Sequence, residues 1–212
     1  MKHSLLKLAL VACIPALCAA TTPLHASTIL FSENFNSAAV GLDVNQAGQF
    51  NTIHSSNVDV VGGSTFGYLC SGPESGNCVD LGGTGGNAKG NLVTTINLAA
   101  GTYDLSFDLI GSQRGETTST TVNIGNYSQT FLLASGNLTS GIINNQLFTV
   151  TGGPTQLQFI NNGFPRADHN IGALLDNVSI SSTTSPVPEP GTLSLMATGL
   201  IGLAGAVRRF NA

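Results

Sequence analysis

The sequence predicts an all-β domain, a jelly-roll β-sandwich, flanked by two apolar terminal segments. Three observations predict it. No stretch of the central region keeps a 3.6-residue apolar period. Short alternating runs occur instead, the clearest being Tyr103, Leu105, Phe107 and Leu109 interleaved with Asp104, Ser106 and Asp108. Between such runs stand Gly62-Gly63, Gly82-Gly83, Gly85-Gly86, Ala100-Gly101 and Gly152-Gly153-Pro154, the residues that break strands and turn the chain. Many short strands joined by Gly-rich turns make a sandwich or jelly roll, and no fixed-period repeat suggests a solenoid.

Taken in order, residues 1–26 read as a secretory signal peptide. Lys2 and Lys7 precede and enter a short apolar run from Leu5 to Leu17, and small residues follow down to Ala26. Cleavage is expected after Ala26, with Ala20 as the competing site. Leu10-Val11-Ala12-Cys13 also fits a lipobox, but acylation at Cys13 would leave the apolar residues 14–20 behind the lipid. Residues 27–180 form the sandwich domain. Its strands are expected at 28–35, 57–61, 91–98, 103–109, 120–124, 129–133, 146–150, around Leu157 and Phe159, and at 173–180. Residues 181–187 are a Ser/Thr/Pro linker, which stays extended. In the last segment, 188–212, the apolar residues 192–207 make a helix of about 24 Å, short for a hydrocarbon core of about 30 Å. Arg208-Arg209 then stays cytoplasmic, and Gly199, Gly202 and Gly205 line one side of the helix for close contact with another membrane helix.

Charge narrows the function classes. Only 8% of the 212 residues are charged. That excludes a polyampholyte, a coiled coil and a nucleic-acid binder. Between the terminal segments stand three basic residues, Lys89, Arg114 and Arg166, against ten acidic ones from Glu33 to Asp176. This acidic body repels phosphate backbones and attracts cations. Catalytic signatures are missing: no Gly-x-Ser-x-Gly, no His-Glu-x-x-His and no Gly-Lys-Ser/Thr phosphate loop occurs. Asp104 and Asp108 share a strand face but lie about 13 Å apart, beyond the roughly 5–9.5 Å of glycosidase carboxylate pairs.

Cys70 and Cys78 are the cysteines left after export. An oxidising destination and a seven-residue gap rich in Gly, Pro and Ser favour one disulfide closing a surface loop. A zinc site is disfavoured, because neither a second cysteine pair nor a spaced histidine pair follows. Two loops carry hydrogen-bonding side chains suited to sugar hydroxyls. One is 112–116, with Arg114 and Glu116; the other is 162–170, with Phe164, Arg166, Asp168 and His169, where the Phe164 ring offers a stacking face. The alternative for both is solvated loop structure. The three Asn-x-Ser/Thr triplets at 126, 137 and 177 are read as coincidences of composition.

Val187-Pro188-Glu189-Pro190, the short apolar helix after it and the closing Arg208-Arg209 resemble the PEP-CTERM sorting signal of exported bacterial proteins. The resemblance covers about residues 186–210. It implies recognition by an exosortase near the Pro-Glu-Pro motif, transient anchoring in the inner membrane, and delivery to the cell surface or an exopolysaccharide-rich matrix. A second resemblance spans most of the body. Phe31-Ser32-Glu33-Asn34-Phe35, the 101–107 run and the final Gly172-Ala173-Leu174-Leu175-Asp176-Asn177-Val178-Ser179-Ile180 look like galactose-binding-like jelly rolls, the fold of many carbohydrate-binding modules. That fold implies adjacent first and last strands, each supplying an acidic residue to a structural calcium, and Glu33 and Asp176 occupy those positions. The alternative is that both carboxylates cap turns or face water.

The function expected is therefore export and exosortase sorting of a non-catalytic sandwich that binds, or is embedded in, exopolysaccharide. A secreted glycan hydrolase and a purely structural biofilm component are the two alternatives.

Overall fold

A computed structural model describes residues 27–73, 75–85, 89–163 and 170–183, with isolated helical positions at Met196, Gly199, Leu200 and Val207. Residues 26–184 form one compact unit. Among the described residues it contains thirteen strands: β1 Ile29–Glu33, β2 Gly41–Val44, β3 Gln46–Ala47, β4 Phe50–Thr52, β5 Val58–Val61, β6 Cys78–Asp80, β7 Asn91–Leu98, β8 Gly101–Ile110, β9 Thr118–Ile124, β10 Tyr127–Leu133, β11 Gly141–Val150, β12 Gly153–Asn161 and β13 Leu174–Ser182. The jelly-roll sandwich expected from the sequence is the fold. Among the described residues no helix is long and apolar enough to cross a membrane. The signal segment and nearly all of the sorting segment lie outside the described residues.

Two antiparallel sheets face each other. The seven-stranded sheet runs β11-β8-β13-β6-β5-β2, with β1 also on β13; the six-stranded sheet runs β10-β9-β12-β7-β4-β3. The last strand is the hinge of the larger sheet. Its first residues, Leu174 and Leu175, pair with β6, while Val178, Ser179, Ile180 and Ser181 pair with β1. First and last strands are thus adjacent, as the jelly-roll resemblance implies.

Alternation places the core. Inward positions of β8 (Tyr103, Leu105, Phe107, Leu109) meet Val122, Leu157 and Phe159 of the facing sheet, all buried. Ring contacts run through the middle: Phe31 packs edge-on against Phe50, Phe50 against Phe159, Phe159 against Phe107 and Phe107 against Phe131, with centroids 5.3–5.9 Å apart. A second, smaller apolar cluster lies on the outer face of the larger sheet. There Leu69 and Cys70 of the 62–77 connection cover Val61, Cys78, Ile110 and Leu174.

Four strands fall in segments the sequence reading leaves as loop: β2, β3, β4 and β6. They are two to four residues long, too short to show a period of two. The eleventh strand begins at Gly141 rather than 146, because a bulge with Asn145 at φ 56° interrupts its alternation between Ile143 and Gln146. At the other end of the chain, β1 stops at Glu33, and Phe35 turns into the core at φ 53°.

Candidate functional site

The outer faces of the two sheets differ in charge. On the larger sheet, Asp59, Asp80, Asp104, Asp108 and Asp176 all point away from the core. Two aspartate pairs stand directly across neighbouring strands, Asp59 with Asp80 and Asp176 with Asp108. Like charges in such positions repel, and the surroundings show how each pair is accommodated.

Asp80 is 1% exposed, and its Oδ1 accepts the backbone N–H groups of Gly82 and Gly172 at 2.8 and 2.7 Å. Its Oδ2 forms an ion pair with the Arg114 guanidinium, which also donates to the Asn170 carbonyl. Burial still outweighs these partners and pushes the Asp80 carboxyl up to about 7. Close backbone approach makes this cage possible: a Cβ on Gly172 would stand 2.2 Å from the Gly82 nitrogen. Asp59 is held by the Thr84 hydroxyl at 2.6 Å and by the N–H groups of Asp43 and Thr84 at 2.8 and 3.0 Å.

Asp176 is fully buried, and its oxygens accept the N–H groups of Asn177 and Ser75 at 2.7 and 3.3 Å. Burial pushes it up to about 6, opposed by those two bonds and reinforced by Asp108 and Glu33. Glu33 takes the N–H of Phe35 on Oε1 and of Gln49 on Oε2, both at 2.8 Å. The two carboxylates named for calcium are therefore electrostatic neighbours, and each holds a turn. Each oxygen keeps a lone pair after accepting one N–H, so the donors are of the hard type calcium takes. Among the described residues no group of three His, Cys, Asp or Glu side chains is close enough to hold a metal. A calcium there would draw most of its six to eight ligands from carbonyls and water.

The outer face of the six-stranded sheet carries no charge. Register places Ser128, Asn123, Gln158, Val93, Asn51 and Gln46 in one continuous row across β10, β9, β12, β7, β4 and β3. Thr130, Thr121, Ile160 and Asn91 form the next row. Side-chain hydrogen bonds order this surface: Ser128 donates to Asn123 at 2.7 Å, Thr121 and Thr130 share a bond of 2.8 Å, and Gln158 donates to Gln156 at 3.0 Å. Six strands spaced about 4.8 Å apart make the row about 24 Å long. The row thus presents uncharged amide and hydroxyl donors and acceptors, interrupted by Val93.

Of the two loops named in the sequence, the described ends of the second are placed: Asn170 accepts from Arg114 of the first loop, and Asn162 donates to Ser119 and Thr121 of β9, both at 3.0 Å. Arg114 is committed to Asp80 and Asn170. Glu116 gives its backbone carbonyl to the Ser112 hydroxyl at 2.7 Å. Phe164, Arg166, Asp168 and His169 lie outside the described residues, as do Val187, Pro188, Glu189, Pro190, Arg208 and Arg209. Among the described residues, the buried side-chain polar atoms without a hydrogen-bond partner are Asn57 Oδ1, Asn91 Oδ1, Arg114 Nε, Thr118 Oγ1 and Thr120 Oγ1. Sequence reasoning missed the sheet face. Its signal is present as the polar alternates of β9, β10 and β12, but which alternates share a face is fixed by register.

Cys70 and Cys78 are joined as a disulfide with Cα atoms 5.7 Å apart. It ties the 62–77 connection to the start of β6.

These features define an antiparallel jelly-roll β-sandwich. The CBM22-1 xylan-binding domain of Paenibacillus barcinonensis Xyn10C superposes with a TM-score of 0.50 at 11% identity, covering 76% of this chain and 98% of that one. The K3 cleaved adhesin domain of Lys-gingipain from Porphyromonas gingivalis (TM-score 0.47, 16% identity, 73% and 100% covered) and TmCBM61 in complex with β-1,4-galactotriose (0.44, 13%, 70% and 93%) are also similar. At these identities the likeness is one of fold. Residues 186–209 match the PEP-CTERM protein-sorting motif, which marks the chain for export and sorting to the cell envelope or surface. No curated protein matches the sequence.

Proposed function

We propose that this exported protein is handed to an exosortase through its C-terminal segment and then acts as a non-catalytic polysaccharide-binding module of the cell surface or extracellular matrix. The observation that carries the binding role is the uncharged row from Ser128 to Gln46. A glycan chain lying across the strands would exchange hydrogen bonds with Asn123, Gln158 and Asn51, and Phe164, Arg166, Asp168 and His169 are proposed from the sequence as further contacts. The ligand class this face favours is neutral. Arg114 is engaged by Asp80, and the body carries ten acidic residues against three basic ones, so an anionic polymer meets net repulsion.

The hydrolase alternative needs two accessible carboxylates about 5–9.5 Å apart. Asp80 with Asp59 and Asp176 with Asp108 are near enough, and two of them carry raised proton affinity. Yet Asp80, Asp59 and Asp176 are 1%, 3% and 0% exposed, closed in by backbone N–H groups, Thr84 and Arg114. No glycosidic bond reaches them in this arrangement.

Calcium on Glu33 and Asp176 is proposed as a structural cation that would relieve the repulsion among Glu33, Asp108 and Asp176, holding the β1–β13 junction. The test of the whole reading is binding of the purified protein to its producer's own exopolysaccharide, with calcium and then with chelator. Saturable binding without release of reducing sugar supports the module. Release of reducing ends restores the hydrolase. Absence of binding leaves a structural component, and an unchanged Tm in chelator removes calcium.

A further inference from the structure

Seven of the eight described phenylalanines are buried in the core; the eighth, Phe66, is 44% exposed beside Tyr68, which is 70% exposed. Their rings meet edge to face, with centroids 6.3 Å apart. Both sit on the knuckle of the β5–β6 connection, where Gly67–Leu69 forms one 310 turn. The knuckle is tightly built. Gly62 and Thr65 exchange backbone hydrogen bonds at 3.0 and 2.9 Å, Leu69 N–H bonds to the Phe66 carbonyl at 2.9 Å, and Gly67 packs on Gly62 so closely that a Cβ would stand 2.8 Å from its carbonyl carbon. The Cys70–Cys78 disulfide fixes its far side.

Phe66 holds φ 55° and ψ 21°, the left-handed region that suits glycine and opposes a bulky side chain. Two neighbouring positions, Gly63 and Gly67, show that this connection uses glycine freely. A large ring nevertheless stands where its backbone is strained and its surface is wet, so neither conformation nor burial explains it. Strain of this kind persists where surrounding structure fixes a group for contact.

We infer that Phe66 and Tyr68 form a second ligand contact, a preorganised stacking platform for a pyranose ring, separate from the outer face of the six-stranded sheet. This inference rests on the polysaccharide-binding reading and adds a site to it. A pyranose presents a flat, apolar face of axial C–H groups to an aromatic ring, while its equatorial hydroxyls stay in water. Tyr68 adds a phenolic hydroxyl able to bond one of them. Ser64, Thr65 and Asn77 of the same connection are uncharged and its one charged residue, Glu74, is acidic, a composition that disfavours an anionic polymer and suits the same neutral one.

The test uses the full chain, titrated with the neutral fraction of the producer's exopolysaccharide, in three forms: wild type, Phe66→Gly and Tyr68→Ala. The expected result is at least a tenfold loss of affinity in each variant, with Tm unchanged for Tyr68→Ala and unchanged or raised for Phe66→Gly, because glycine relieves the positive φ. Wild-type affinity in both variants would overturn the platform while leaving the binding reading intact. A fall in Tm for Phe66→Gly together with normal affinity for Tyr68→Ala would make the ring structural and overturn it as well. If wild type binds nothing, the binding reading and the platform fail together.

Discussion

At the scale of single residues, Arg114 and Asp80 are the most consequential pair. Replacing Arg114 by Met leaves a buried carboxylate without its counter-charge, and losing one partner of a buried pair typically costs about 3–5 kcal/mol. The loss should be larger at pH 8 than at pH 5, because Asp80, already pushed up to about 7, rises further without the guanidinium and is neutral at the lower pH. Urea denaturation at the two pH values checks this. Asp176 gives a second pH prediction. Its folded carboxyl titrates near 6 against an ordinary 3.8, so the stability it contributes is complete below about 3.8 and lost as pH rises through 6. Tm should therefore fall between pH 5 and pH 7, and Asp176→Asn should flatten that fall; equal slopes in both proteins would show that the carboxyl is not the group responsible. In the core, Phe107→Ala removes a ring with edge contacts to Phe131 and Phe159 and should cost about 3–5 kcal/mol. Little of this residue-level detail was legible beforehand. Arg114 was readable as a polar loop residue near a strand end, but its partner Asp80 is 34 positions away and belongs to a strand too short to recognise.

Among elements, the 62–77 connection behaves as a cover for the outer face of the larger sheet. Its disulfide closes a short loop, for which restriction of the unfolded chain gives roughly 2–3 kcal/mol. Reduction, or Cys70→Ser with Cys78→Ser, should lower stability by that amount and open the Val61, Ile110 and Leu174 cluster first. Hydrogen exchange would locate the effect in residues 58–80 and 174–177, while β7, β9 and β12 keep their protection; uniform loss across both sheets would contradict a local cover. The elements themselves were readable in proportion to their regularity. The seventh strand matches its expected bounds because turn residues frame it, Gly90 before and Ala100-Gly101 after. The second, third, fourth and sixth strands escaped because two to four residues carry no period, and the bulge at Asn145 hid the first half of β11. Adjacency of β1 and β13 was expected from the resemblance of the first and last motifs, and the register between Glu33 and Val178 bears it out.

For the whole molecule, the division of charge between the two outer faces organises the account. Five aspartates lie on one face, four of them in cross-strand pairs, while amides and hydroxyls line the other. Composition alone shows an acidic, charge-poor body; only folding sorts the few charges to one side. The C-terminal sorting motif was the most legible part of the chain, since motif, apolar run and basic tail are contiguous in sequence. Binding at an uncharged face should be indifferent to ionic strength, because neutral contacts are not screened. The most direct measurement is therefore the affinity of the purified protein for neutral polysaccharide at 50 and 500 mM salt, for wild type and for the Asn123→Ala, Gln158→Ala double variant. The account predicts saturable, salt-independent binding that falls at least tenfold in the double variant with Tm preserved. Binding confined to an anionic polymer, or full affinity in the double variant, would contradict it.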